Sequence, residues 1–90
     1  MDPQPLARKV AIVTGSASGI GKGIALRFAE EGADVSCWDL NLEGAKETAR
    51  EVEKAGRKSL ALQVDVTKSG EVEDAAKAVF DQFGKIDILV

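Results

Sequence analysis

The chain has 90 residues, 44% of them hydrophobic, a net charge of −3 and no histidine. That length allows one domain at most. The lack of a basic block argues against nucleic acid as a partner, while leaving room for a local anion site built from backbone N–H groups. Without histidine there is no imidazole base and no imidazole metal ligand. The single cysteine, Cys37, forbids a disulfide framework within the chain and fits a cytoplasmic setting. No apolar run approaches the ~18 residues of a membrane span, so no membrane partner is expected.

Residues 1–8 are polar, carry two prolines and lack the apolar stretch of a signal peptide. They read as a lead-in with room to be flexible. Residues 9–14 are continuously apolar after Lys9, with Val10, Ile12 and Val13 as β-formers, which predicts a strand buried on both faces of a parallel sheet. The run stops at Thr14-Gly15-Ser16-Ala17-Ser18-Gly19-Ile20-Gly21. Ile20, Ile24 and Phe28 then recur at helical spacing beside Gly21, Ala25 and Ala29, one apolar stripe ending near Glu30 with Gly32 as its stop.

Residues 34–39 predict a second strand with Cys37 as a packing residue and Trp38 in the core. Asn41 is a plausible N-cap for a helix reaching Lys54, with Leu42, Ala45, Ala49 and Val52 as its buried face. Residues 59–64 predict a third strand, and Asp65-Val66-Thr67 the turn after it. The last helix, 69–83, places Val72, Ala75, Ala76, Val79, Phe80 and Phe83 on one apolar template. Gly84 caps it, and residues 86–90 open a fourth strand. Strands alternating with helices over short connections predict an α/β, doubly wound parallel sheet with right-handed crossovers. Val90 falls inside an apolar strand, and a parallel sheet needs helices over both faces. The expectation is that residues 9–90 form the N-terminal part of a larger dinucleotide-binding domain.

Three places carry chemistry. In the glycine loop, Gly15 allows a sharp exit from the strand, Gly19 lets backbone approach a pyrophosphate, and Gly21 lets the helix pack closely. Ser16 and Ser18 can add hydroxyl donors. The spacing is neither the Walker A pattern nor G-x-G-x-x-G. A strand before and a helix after favour an anion site over a ligand-free surface turn. Asp39, at the end of the second strand beside Leu40, can accept from both hydroxyls of an adenosine ribose and would repel a 2′-phosphate; the alternative is an ordinary acid at a helix start. No Lys or Arg occupies positions 16–18, 40 or 41, so NAD is preferred over NADP. Asp65 can accept from an adenine amino group, with the Val66 N–H facing a ring nitrogen, or it can be a local cap on the last helix.

Together these residues resemble the short-chain dehydrogenase/reductase family, over nearly the whole chain from Lys9 on. The motif is Thr14-Gly15-x-x-x-Gly19-Ile20-Gly21, supported by Asp39, by Asp65-Val66-Thr67, and by Ile86-Asp87-Ile88-Leu89-Val90, which is similar to the strand that leads into the family's Asn-Asn-Ala-Gly turn. The resemblance implies a Rossmann fold, with Gly15 to Gly21 on the pyrophosphate, Asp39 on the ribose and Asp65-Val66 on the adenine. It implies a parent oxidoreductase that interconverts a secondary alcohol and a ketone, acts on a small molecule, and assembles as a dimer or tetramer. The family's catalytic Ser and Tyr-x-x-x-Lys lie beyond the fourth strand, and this chain has no tyrosine, so it offers no catalytic residue of that kind. A non-catalytic nucleotide-binding module, and a Rossmann enzyme acting on nucleotide sugars or using S-adenosylmethionine, stay as rival readings.

Overall fold

A computed structural model describes residues 4–90. Four parallel strands, β1 (Val10–Thr14), β2 (Asp34–Asp39), β3 (Ser59–Gln63) and β4 (Ile88–Leu89), stand in the order β3-β2-β1-β4. The connections carry α1 (Gly19–Glu30), α2 (Leu42–Lys54) and α3 (Ser69–Phe83).

The order explains the layering. The chain steps outward from β1 to β2 to β3, so right-handed crossovers put α1 and α2 on one face. The return from β3 to β4 runs the other way and puts α3 on the opposite face. Side-chain alternation along β1 and β2 feeds both cores. Val13, Val35 and Cys37 pack with Ala25, Ala29, Ala45, Ala49 and Val52 on the α1/α2 side. Val10, Ile12 and Trp38 pack with Val64, Ala75 and Val79 on the α3 side. Hence β1 reads as uninterrupted apolar sequence: both of its faces are covered. The direction in which strands are added reverses between β1 and β4, while the strands themselves stay parallel. In an open parallel sheet that switch point, at the carboxyl ends of the strands, is where ligands bind.

The sequence placed β2, α2 and α3 at their observed bounds and located Trp38 and Cys37 in the core. Four expectations need correction. Ile20 is 84% exposed, because it sits in the first turn of α1 where the helix projects past the sheet; the buried line is Ala25 and Ala29. Phe80 is 56% exposed, since α3 buries its Ala75–Val79 line and Phe80 lies at the margin of the stripe. Thr48, a polar residue, shares the buried face of α2, where Leu42 is only half-buried. Finally, the described part of the lead-in is tied down. Leu6 N–H donates to the Glu31 carbonyl at 2.8 Å, Lys9 N–H donates to the Leu6 carbonyl at 2.9 Å, and Leu6 packs against the α1/α2 core.

β4 is short, but its ladder runs past its two residues. Asp87 N–H donates to the Val10 carbonyl and Val90 N–H to the Ile12 carbonyl, each at 2.9 Å. The Asp87 carboxylate also accepts from the Val10 N–H at 2.8 Å, closing the amino end of the β1–β4 pair.

Candidate cofactor site

The loop between β1 and α1 is shaped by what its glycines permit. Gly15 and Gly19 adopt φ of +65° and +62°, a region that side chains with a Cβ rarely occupy. A Cβ on Gly21 would lie within van der Waals distance of the Gly15 carbonyl oxygen and 2.6 Å from its carbon. The helix start therefore rests directly on the loop's own backbone. This refines the expected role of Gly21: the close approach is to Gly15, not to the sheet at large. Beyond that contact, Gly19, Ile20 and Gly21 open α1, and N–H groups in a first turn have no carbonyl of their own helix to meet. Ser18 is the N-cap, but its side chain makes no capping bond. The first turn carries no acidic residue, so nothing there opposes an anion.

Ser16 behaves differently from the expectation. Its side chain is fully buried. Both its N–H and its hydroxyl donate to the Trp38 carbonyl, each at 3.1 Å. Its donors thus tie the loop to β2 instead of facing a ligand. Ser18, exposed at the helix start, has a hydroxyl with no hydrogen bond among the described residues.

Asp39 ends β2 beside this loop. Its Oδ2 accepts from the Ala17 N–H at 3.0 Å and its Oδ1 from the Asn41 N–H at 2.8 Å. Two backbone donors thus fix the carboxylate plane. Each carboxylate oxygen can accept more than one bond, so acceptor capacity remains. Asn41 itself caps α2, its Oδ1 accepting from the Gly44 N–H at 3.1 Å.

Asp65 follows β3. Its Oδ1 accepts from the Thr67 N–H at 3.0 Å and from the Thr67 hydroxyl at 2.6 Å. These bonds hold its pKa below the usual carboxylate value. The arrangement is a local Asx-type turn, but the N-cap of α3 is Lys68, so Asp65 is not the cap. Both bonds fall on Oδ1, which leaves Oδ2 its lone pairs. The Val66 N–H makes no hydrogen bond among the described residues.

A cavity of about 350 Å³ joins these pieces at the carboxyl edge of the sheet. Gly15, Asp39, Leu40, Asp65 and Val66 line it, all expected from sequence, along with Thr14, Trp38, Val64 and Thr67, which were not. Ser16, Ser18, Gly19, Ile20 and Gly21 are not among its lining residues; the last three open α1, which follows the lining residue Gly15 along the loop. Lys22, the basic residue next to the glycine motif, is drawn away to Glu51 on α2, with Nζ 2.8 Å from its carboxylate.

A glycine turn that only a Cβ-free backbone can form, a helix start beyond it and a carboxylate fixed at the end of the next strand define a dinucleotide-binding half of the Rossmann type. The sequence profile of the short chain dehydrogenase family matches residues 9–90, and the chain belongs to that family. Among its relatives, the 2,5-dichloro-2,5-cyclohexadiene-1,4-diol dehydrogenase LinX of Sphingobium indicum is 45% identical over 84 residues, covering 93% of this chain and 34% of LinX. The 3-oxoacyl-(acyl-carrier-protein) reductase FabG of Staphylococcus epidermidis is 43% identical over 86 residues, covering 91% and 34%. A crystal structure of hydroxysteroid dehydrogenase from Escherichia coli superposes with a TM-score of 0.91 at 37% identity, over 96% of this chain and 37% of that one. The chain spans about a third of the length of these relatives.

Proposed function

We propose that this chain is the cofactor-binding part of an NAD-dependent short-chain oxidoreductase that interconverts a secondary alcohol and a ketone. The family implies a nicotinamide cofactor, and the residues present fit one. Gly21 lets the helix start rest on the Gly15 backbone, Gly15 and Gly19 present open, Cβ-free backbone, and the N–H groups that open α1 suit a pyrophosphate. When bound, NAD supplies hydride transfer. Asp39 accepts from the adenosine ribose hydroxyls, while Asp65 and Val66 flank the adenine. The small-molecule substrate, a cytoplasmic setting and assembly as a dimer or tetramer belong to the same reading. Among the described residues, no helix is long and apolar enough to cross a membrane.

One observation carries the choice of NAD: the Asp39 carboxylate, held by two backbone N–H groups, lines the cavity next to Leu40 with no cation in either flanking loop. A 2′-phosphate placed there would meet a fixed negative charge. Asp39→Ala is expected to weaken NAD binding at least about tenfold, since bonds to a charged group are worth roughly 1.5–3 kcal/mol each. It should also relax the exclusion of NADP. Calorimetric titration of both cofactors into the full-length protein reads this. An unchanged NAD/NADP ratio in that variant would sink the Asp39 assignment.

A further inference from the structure

One peptide unit in the glycine loop is gripped from both ends. Thr48, on the buried face of α2, donates its hydroxyl to the Ser16 carbonyl at 2.7 Å. A threonine within a helix commonly bonds back to the carbonyl four residues earlier. Here that contact, to Gly44, is the longer one at 3.3 Å. The Ser16 carbonyl and the Ala17 N–H belong to the same planar peptide, and the Ala17 N–H donates to Asp39 at 3.0 Å. Turning the carbonyl away from Thr48 therefore swings the N–H off the carboxylate. α2 also passes close to the loop here: Gly44 has no Cβ, and one added there would sit 2.7 Å from the Ala17 Cβ.

We infer that Thr48 is a positioning residue for cofactor recognition: through the rigid Ser16–Ala17 peptide it fixes the Asp39 carboxylate that receives the ribose. This rests on the assignment of Asp39 to the ribose. Thr48 acts at a distance from the ligand, by denying the buried Ser16 carbonyl any other direction. Without the hydroxyl that carbonyl has no donor among the described residues and turns to find one. Asp39 then loses one of the two donors that hold its plane.

The test is a double-mutant cycle on the full-length protein, read as the NAD dissociation constant by calorimetry. Thr48→Val should weaken NAD roughly five- to tenfold, the ratio that loss of one net hydrogen bond produces. Thr48→Ser, which keeps the hydroxyl, should bind like the wild type. In an Asp39→Ala background, Thr48→Val should change affinity by less than about twofold, because the group it positions is gone. Equal losses in both backgrounds would mean a merely structural threonine and would overturn the inference, as would a Thr48→Val protein that binds NAD normally. Should Thr48→Val fail to fold, Thr48→Ala removes the same hydroxyl, with Thr48→Ser as its control, and the same two backgrounds decide. A wild-type protein that binds no NAD would overturn the ribose assignment itself, and this inference with it.

Discussion

Gly21→Ala is the sharpest single perturbation of the loop. The added Cβ would lie 2.6 Å from the Gly15 carbonyl carbon and 3.2 Å from the Ser16 nitrogen. Unbonded heavy atoms ordinarily approach to ~3.5–4.0 Å. The loop and the first turn of α1 must therefore separate by about 1 Å, and both obstacles are backbone, with no side-chain end to swing aside. Overpacking of this kind costs about 1–3 kcal/mol of stability. The cost to binding is larger. Donors aimed at a pyrophosphate from about 3 Å would end near 4 Å, outside hydrogen-bonding range. Two lost bonds to a charged group amount to about 3–6 kcal/mol, so NAD affinity should fall at least about 100-fold. Gly23→Ala is the control. It lies in the same helix two residues on, where a Cβ meets nothing within 4 Å. It should leave binding intact and gain about 0.5–1 kcal/mol of stability, the ordinary benefit of alanine over glycine within a helix. Calorimetric titration of NAD and thermal melts of the full-length variants separate the two effects. If Gly21→Ala bound NAD within threefold of Gly23→Ala, the helix start would not be the pyrophosphate seat.

Two further outcomes follow from the ends of the sheet. Arg8 holds φ +66°, the lone non-glycine residue with positive φ among those described; Arg8→Gly should relieve that strain and stabilise by about 1 kcal/mol, read as a raised melting temperature, and no rise would mean the turn holds no strain. Asp87 has its pKa lowered, first by the Val10 N–H and then by Lys85. A lowered folded pKa gives stability that is complete above the unfolded value near ~4 and disappears as pH falls through the folded one. The stability gap between wild type and Asp87→Asn should therefore be level from about pH 7 to 5 and close as pH drops below ~4, measured by urea midpoints. A gap that stays constant into strong acid would refute the ion's contribution.

The parts of the candidate site that were legible share a property: their place follows from a residue's position on its own element. Gly15 and Gly19 had to end a strand and begin a helix, and their positive φ follows from that turn. Asp39 had to fall at a strand's carboxyl end once β2 was placed. Asp65 and Val66 followed from β3 in the same way. What spacing does not carry is which backbone group a side chain meets across the fold. The Ser16 hydroxyl looked like a ligand donor and instead turns inward to the Trp38 carbonyl, 22 residues away. Thr48 stood in plain view on the Ala45–Ala49–Val52 face of α2. A polar side chain on an apolar stripe is a signal that it has a buried partner, but sequence does not name that partner. The apolar stripes erred at their margins: periodicity gives a helix's buried direction, while the extent of the facing sheet decides where burial stops, which is why Ile20 and Phe80 stand exposed.

These inward turns say something about how such a site is made selective. The loop spends the Ser16 side chain on an internal bond, and offers the cleft mainly backbone N–H groups. Backbone donors cannot distinguish one dinucleotide from another by charge. On the reading proposed above, discrimination then rests on the fixed charge at the ribose position, the Asp39 carboxylate. A carboxylate free to rotate could turn aside from a 2′-phosphate or recruit a cation. One clamped by Ala17 and Asn41 cannot do so without breaking a bond at 3.0 or 2.8 Å. Rigidity at Asp39 therefore bears on selectivity more than the carboxylate's presence alone. That rigidity is supplied by α2, through the cap at Asn41 on one oxygen and through the Thr48-held peptide on the other.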